Sequence, residues 1–449
     1  MTRYSGLSER KTRFLAVLAA VAALWLAGPA SADQVVVVTS FPKELTSAYK
    51  KAFEAKYPNV KLEILNKGTT AGIVYVREAP AASKPDVFWA SAPDAFEVLA
   101  REKLLRKFEG GSPEIPARIG NYPMNDPEGF YRGQAISGYG IMWNTRYLKA
   151  HKLPEPREWA DLAKPVYHGH VAISSPSKSG TTHLTVETIL QGEGWDKGWR
   201  QMLEIAGNCA AVTERSFGVP DGVSSGQFGI GLVIDFLGLA AKNSGFPVDF
   251  VYPSVTALVP ANIALIAGAR NAEAAKTFIG FTLSPEGQQI LLDPKISRLP
   301  VLPSVYAKAP AGYPNPFTGT IKASVSFDAN LSESRYYVVT SMFDHAITFR
   351  LKELNKAKKA IDDAAARLAG KRNAEAEKLL AQARDLAFTP PVSAAKVKDK
   401  AFIAVFQGGK KDPEAARKIA AVEEQWDRHA KENYSKAAEL AEKAAAMAR

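Results

Sequence analysis

Cysteine is almost missing from this chain: Cys209 stands alone in 449 residues. That count excludes an internal disulfide and a thiolate metal cluster, and the lone thiol reads as a small buried apolar group. Two signatures of catalysis are missing as well, the phosphate loop ending in G-K-[ST] and the zinc helix H-E-x-x-H. Histidine is scarce, six residues in all. His168, His170 and His183 lie close in sequence, but no acid stands at a spacing that completes a metal site with them. No nucleic-acid motif is present and the basic residues are dispersed, so neither catalysis, a cofactor nor nucleic-acid binding is expected. After residue 32 no apolar run approaches the roughly 20 residues that span a bilayer, which excludes a permease.

What is there begins with an export signal. Arg3, Arg10, Lys11 and Arg13 precede an uninterrupted apolar run from Phe14 to Ala27, and Ala30-Ser31-Ala32 follows. This is the three-part layout of a secretory signal peptide over residues 1–32, and no cysteine follows it to take a lipid. A soluble periplasmic product is expected. The formal charge is +11; the signal segment holds four basic residues and one acidic one, so the rest of the chain keeps +8. A basic balance outside the cytoplasm favours capture of anionic solutes or adhesion to anionic surfaces.

The run Q-V-V-V-V-T at 34–39 is short, continuous and β-branched, the pattern of a strand buried on both faces. It leads into S-F-P-K-E-L, after which Tyr49, Phe53 and Tyr57 recur four apart on one helical face. V-K-L-E-I-L at 60–65, a Gly-Thr-Thr-Ala-Gly loop and P-D-V-F-W-A at 85–90 continue the alternation of strand, loop and helix. V-A-I-S-S at 171–175 and F-G-I-G-L-V-I-D at 228–235 resume it in a second α/β unit. Residues 257–268 read as two short strands, 272–292 as helices broken at Ser284-Pro285, and the proline- and glycine-rich run 309–319 as a connector. From Tyr336 onward Ala, Lys, Glu and Leu at helical spacing predict a helical appendage, interrupted near Thr389-Pro390-Pro391.

Among residues able to carry chemistry, S-P-S-K-S-G-T-T-H at 175–183 stands between a strand and a helix. A helix start leaves amide donors free and carries partial positive charge, which favours a phosphate or carboxylate oxygen. Gly180 permits close approach, and Ser177, Ser179, Thr181 and Thr182 offer hydroxyls, with Lys178 adding charge; alternatively one hydroxyl only caps the helix, worth about 1 kcal/mol. Ser40 and Ser91 follow other strands at the same kind of position, where open parallel sheets place their ligands. Asp235 ends a buried run and is either a turn-former or an acid aimed into a cleft. Arg215, beside Ser216, offers a planar fork to an anion or a surface ion pair.

In order, V-V-V-V-T-S-F-P-K-E, K-P-D-V-F-W-A-S, G-Y-G-I-M-W-N, P-S-K-S-G-T-T-H and I-G-L-V-I-D resemble the landmarks of type II periplasmic solute-binding proteins of the iron(III)-type ABC-transporter family, over about residues 34 to 310. The resemblance implies an α/β fold of two lobes with open parallel-type sheets covered by helices, plus the C-terminal helical extension. The division it suggests is 33–133 with 254–300, 134–253 with 301–339, and 340–449 for the extension, with a first hinge within Gln134 to Met142. It also implies a small anionic solute between the lobes, an ABC permease as partner, and a monomer. Ferric-ion members carry a histidine, a glutamate and paired tyrosines at positions where this chain has Pro42, Ser91 and V-I-D-F-L-G, and Tyr336-Tyr337 falls about a hundred residues too late. The remaining set, Ser40, Ser91 and Thr181 with Asp235, is similar to members that bind organophosphates or phosphonates. Two alternatives stand: a ferric-ion-binding protein of an iron ABC transporter and, because some phosphoglycerate-related members are associated with regulation, a solute sensor that presents its ligand to a membrane receptor kinase.

Overall fold

The computed structural model describes residues 33–407 and 412–447; the export signal read at 1–32 lies outside them. The β-branched run becomes a central strand, Asp33–Thr39, paired in parallel with Val60–Asn66 on one side and Val87–Ala90 on the other. Both of its faces are covered, and Val35 to Val38 are buried. Helices join these strands: α1 (Lys43–Lys56), α2 (Thr69–Glu78) and α3 (Pro93–Arg101). On α1 the predicted face of Tyr49 and Phe53 points into the core, where their rings pack edge-on against Trp89 and Phe278. Antiparallel strands Tyr131–Ser137, Val259–Ile266 and Leu299–Pro300, with the short Leu105–Arg106, complete a seven-stranded sheet.

The chain leaves this sheet at Gly138, inside the predicted hinge but four residues past the expected boundary at 134. Its next strand, Tyr139–Asn144, belongs to a second sheet of five strands, with Cys209–Thr213, Val171–Ser174, Ile230–Ile234 and Val248–Val251. Helices α4 (Thr145–His151), α5 (Gly180–Glu193), α6 (Trp195–Ala206), α7 (Gly218–Ser225) and α8 (Asp235–Asn243) cover it. Residues 252–258 return to the first sheet, where 257–268 forms the single strand Val259–Ile266 rather than two. Pro260 is tolerated because it lies next to the strand's start, just before an irregularity between Ala261 and Asn262. Then follow α9 (Ala272–Leu283) and α10 (Pro285–Ile290), divided where Ser284 caps the second by accepting from the Gly287 amide at 3.1 Å.

The stretch 301–339 does not join the second lobe as expected. Val301 donates to Gln288 on α10 at 2.8 Å, which keeps it with the first lobe, and Val325 donates to Thr256 on the returning crossover at 3.0 Å. Helices α11 (Ala329–Ser334) and α12 (Tyr336–Phe343) then lie across both lobes. Ser332 and Tyr336 hydrogen bond to Asp94 and Thr70 of the first lobe, at 2.9 and 2.8 Å. Arg335 grips Glu187 on α5 of the second through two bonds of 2.9 and 2.7 Å. The appendage continues as α13 (Leu351–Leu368), α14 (Ala374–Phe388), α15 (Lys400–Gln407) and α16 (Pro413–Ala446). It packs on the second lobe through α6, where the Trp195 indole donates to Val392 at 2.7 Å.

Candidate functional site

Six helices begin around one small cavity between the lobes. Its walls are Ser40 and Phe41 ahead of α1, Gly68 and Thr69 at the start of α2, and Ser91 ahead of α3. From the second lobe come Lys178, Ser179 and Thr181 at the start of α5, Arg215, Ser216 and Phe217 ahead of α7, and Phe236 in the first turn of α8. Each of these helices follows directly on a strand, and such a unit presents the helix start at the strand's carboxyl end. Helix starts carry a partial positive charge, and at α5 the amides of Gly180 and Thr181 are free. At α8 the first two amides are already taken by Gly138 and the Asp235 carboxylate, so the cavity's pull on negative charge comes chiefly from the other starts.

The side chains agree with the dipoles. Lys178 and Arg215 are cations on the walls, and among the described residues no carboxylate lines them. Arg215 lies over the Phe217 ring at 4.9 Å and donates to Asn66 across the gap at 3.1 Å; burial lowers its pKa from the usual value. The hydroxyls of Ser40, Thr69, Ser91, Thr181 and Ser216, and the amides of Gly180 and Thr181, have no partner among the described residues. Ser179 caps α5, accepting from the Thr182 amide at 3.2 Å.

The lobes meet tightly here. The cavity holds about 10 Å³, the room of a single water. A Cβ on Gly68 would come within 2.8 Å of the Lys178 carbonyl, and one on Gly180 within 2.8 Å of both Ala92 Cβ and Thr69 Oγ1. Gly180 therefore serves the close approach of the opposite lobe. An outer cavity of about 1090 Å³ shares Arg215, Phe217 and Phe236 with the inner one and lies between α1 and the pair α7 and α8. Admission of an organic solute to the inner cavity requires the lobes to part.

Of the residues expected from sequence, Ser40, Ser91, Ser179, Thr181 and Arg215 line this cavity and Gly180 adjoins it. Three are placed elsewhere. Ser177 bonds to Ser175 at 2.8 Å, and Ser175 donates to Asp344 after α12 at 2.8 Å. Thr182 turns inward to the Ser174 hydroxyl. Asp235 is the turn-former: its carboxylate accepts from the amides of Gly138 and Phe236, both at 2.7 Å, and from the Tyr252 hydroxyl at 3.0 Å. It staples the crossover, and burial, working against those amides, raises its pKa to about 6. Gly68, Thr69, Phe41, Phe217 and Phe236 were not anticipated; the G-T-T after a strand at 68–70 echoes the G-T-T at 180–182 and was the available signal.

Chemistry beyond binding finds no support in this geometry. Gly222-Val223-Ser224-Ser225-Gly226 has the spacing of a nucleophile elbow, but it closes α7 instead of joining a strand to a helix. Among the described residues no group of three or more His, Cys, Asp or Glu is placed to hold a metal ion. Tyr336 is buried against His183, with ring centroids 4.3 Å apart, and Tyr337 takes a bond from Arg77 at 3.4 Å.

Two α/β lobes closing on a nest of helix starts define a two-lobed solute-binding protein. The chain belongs to the bacterial extracellular solute-binding protein family, whose model matches residues 82–320; this is a family of binding proteins, not of catalysts. It is 31% identical over 377 residues to the phosphoglycerate transport regulatory protein PgtC of Salmonella typhimurium, covering 83% of this chain and 89% of that one. Among solved structures it is similar to the periplasmic binding protein AfuA from Actinobacillus pleuropneumoniae with fructose-6-phosphate bound, at a TM-score of 0.63 and 20% identity, over 70% of this chain and 98% of that one. Iron-bound HitA from Pseudomonas aeruginosa matches at a TM-score of 0.56 and 16% identity, over 69% and 98%. These two likenesses establish the fold. No helix of the described residues is long and apolar enough to cross a membrane.

Proposed function

We propose that the chain captures a small phosphorylated organic anion in the inner cavity and delivers it, as a periplasmic monomer, to an ABC permease of the inner membrane. The observation that carries this reading is the convergence of six helix starts, Lys178 and Arg215 on walls without a carboxylate. Free hydroxyls and amides suit the several acceptor oxygens of a phosphate group. The phosphorylated compounds in the names of PgtC and of the AfuA structure agree with it. Ferric ion fits less well, because a hard cation wants anionic oxygens and the walls offer cations.

The test is titration calorimetry of the purified chain with 3-phosphoglycerate, fructose 6-phosphate, inorganic phosphate and ferric ion. At least one phosphate ester should bind, and Thr181→Val should weaken it about tenfold. Binding of ferric ion alone would overturn the reading. A sensory role has one observation in its favour, the bonds of α11 and α12 to both lobes, which couple lobe position to the appendage. Deleting the gene separates the two: transport predicts loss of solute uptake, sensing loss of induction with uptake retained.

A further inference from the structure

Behind the cavity lies a charged group that the proposed capture of a phosphate leaves unused. Arg298 is fully buried, between the Ser297 turn and the strand Leu299–Pro300 of the first lobe. Its guanidinium is sandwiched 4.2 Å from the ring of Phe41, from the first lobe, and 4.2 Å from that of Phe236, from the second. Both rings are walls of the cavity. With its faces covered, the group donates only in its own plane. Nη2 reaches Ser137 at the crossover, 3.1 Å away, while Nε and Nη1 have no acceptor among the described residues. The neighbouring Tyr139 hydroxyl is likewise buried and unpartnered. Asp235, the carboxylate whose charge acts on Arg298, spends its oxygens on Gly138, Phe236 and Tyr252 and makes no bond to it. Burial pulls the pKa of Arg298 down to about 10, so it remains charged at neutral pH.

A buried charge whose donors lack acceptors costs several kcal/mol, and here it is held directly behind the two aromatic walls of an anion site. Phe236 belongs to the second lobe, so parting of the lobes would lift one ring from the guanidinium and give a ligand a way to its free in-plane donors. We propose that Arg298 is a second anion-recognition residue. It takes a further acidic group, a carboxylate, of a ligand whose phosphate sits at the helix starts, and so selects small organic compounds with two anionic groups. The proposal rests on the capture of a phosphorylated anion argued above.

Three probes separate the two ideas in calorimetric titrations of the full chain: 3-phosphoglycerate, glycerol 3-phosphate, which has an alcohol in place of the carboxylate, and inorganic phosphate. The wild type should bind 3-phosphoglycerate at least about tenfold more tightly than glycerol 3-phosphate. Arg298→Met, which fills the slot without charge, should bring that ratio close to one, hold glycerol 3-phosphate within about threefold of wild type, and melt no lower than wild type. A wild type without the preference, an Arg298→Met that keeps it, or one that loses both esters equally, overturns the role of Arg298 and leaves the phosphate site standing. If none of the three probes binds, the phosphate reading itself falls, and this inference with it. Should Arg298→Met not fold, Arg298→Lys serves instead: it keeps the charge without the planar fork, and a ratio unchanged from wild type would overturn the proposal.

Discussion

Gly180→Ala places helix stability and lobe closure in opposition, and the distances fix the sign of each. Gly180 opens α5 and is not among the residues with positive φ, so alanine is compatible with the backbone there, and helix propensity favours it by up to about 1 kcal/mol. The added methyl, however, would stand 2.8 Å from Ala92 Cβ and from Thr69 Oγ1 on the other lobe. Carbon atoms rest at about 3.5–4.0 Å, and Ala92 Cβ is fixed to the main chain, so the gap must widen by roughly 1 Å. Overpacking of this kind costs about 1–3 kcal/mol, which is about 5- to 150-fold in affinity when the ligand binds only the closed form. The unfolding midpoint of the empty protein should not fall, while affinity for 3-phosphoglycerate drops within that range. Small-angle scattering should find the loaded variant more open than loaded wild type. Unchanged affinity in Gly180→Ala would refute the claim that this seam closes over the ligand.

Arg335→Met should destabilise the chain by about 3–5 kcal/mol in urea unfolding, because it strands the buried Glu187, whose pKa burial pushes up and the Arg335 charge brings below the usual value. Replacing both, as Glu187→Leu with Arg335→Met, should recover most of that loss. Asp235 predicts a pH dependence: its folded pKa, raised by burial to about 6, exceeds the ordinary 3.8, so its contribution is fully present below pH 3.8 and is lost as pH rises through about 6. Comparing urea stabilities at pH 4 and pH 7, the wild type should lose on the order of 3 kcal/mol that Asp235→Asn does not. Burial raises the Cys209 thiol to about 12, so thiol reagents at pH 8 should label it only in denaturant.

The strands were legible because burial on both faces leaves a run such as Val35 to Val38 with no polar position, and the helix starts because Ser179 and Gly180 announce a cap. Four residues that line the cavity, Ser40, Ser91, Ser179 and Thr181, followed from that logic, and Arg215 from the fit of its planar fork to an anion. Thr69 did not, since its place opposite Gly180 depends on two sheets folding toward each other across more than a hundred residues, which no local pattern records. Asp235 offered two readings, and the amide of Gly138, ninety-seven positions earlier, decided for the turn. Arg298 gave no local signal: between Ser297 and Leu299 it sits in no periodic run, and only the tertiary fold brings Phe41 and Phe236 to its faces. The path of 301–339 was misjudged for a similar reason, because an irregular segment takes its lobe from its partners, Gln288 and Thr256, and not from its composition.

The fastening of α11 and α12 to both lobes has a bearing on how a guest gets in. With the crossovers at Gly138 and 252–258 forming the spine, and Tyr336, Ser332 and Arg335 holding one flank, the two halves cannot swing apart evenly. Parting is expected on the unfastened side, toward the outer cavity between α1 and α7, whose lining includes none of the strap's residues. On the proposed reading, a guest would then enter past Arg215 and Phe217, and the breadth of that doorway would set an upper limit on the cargo.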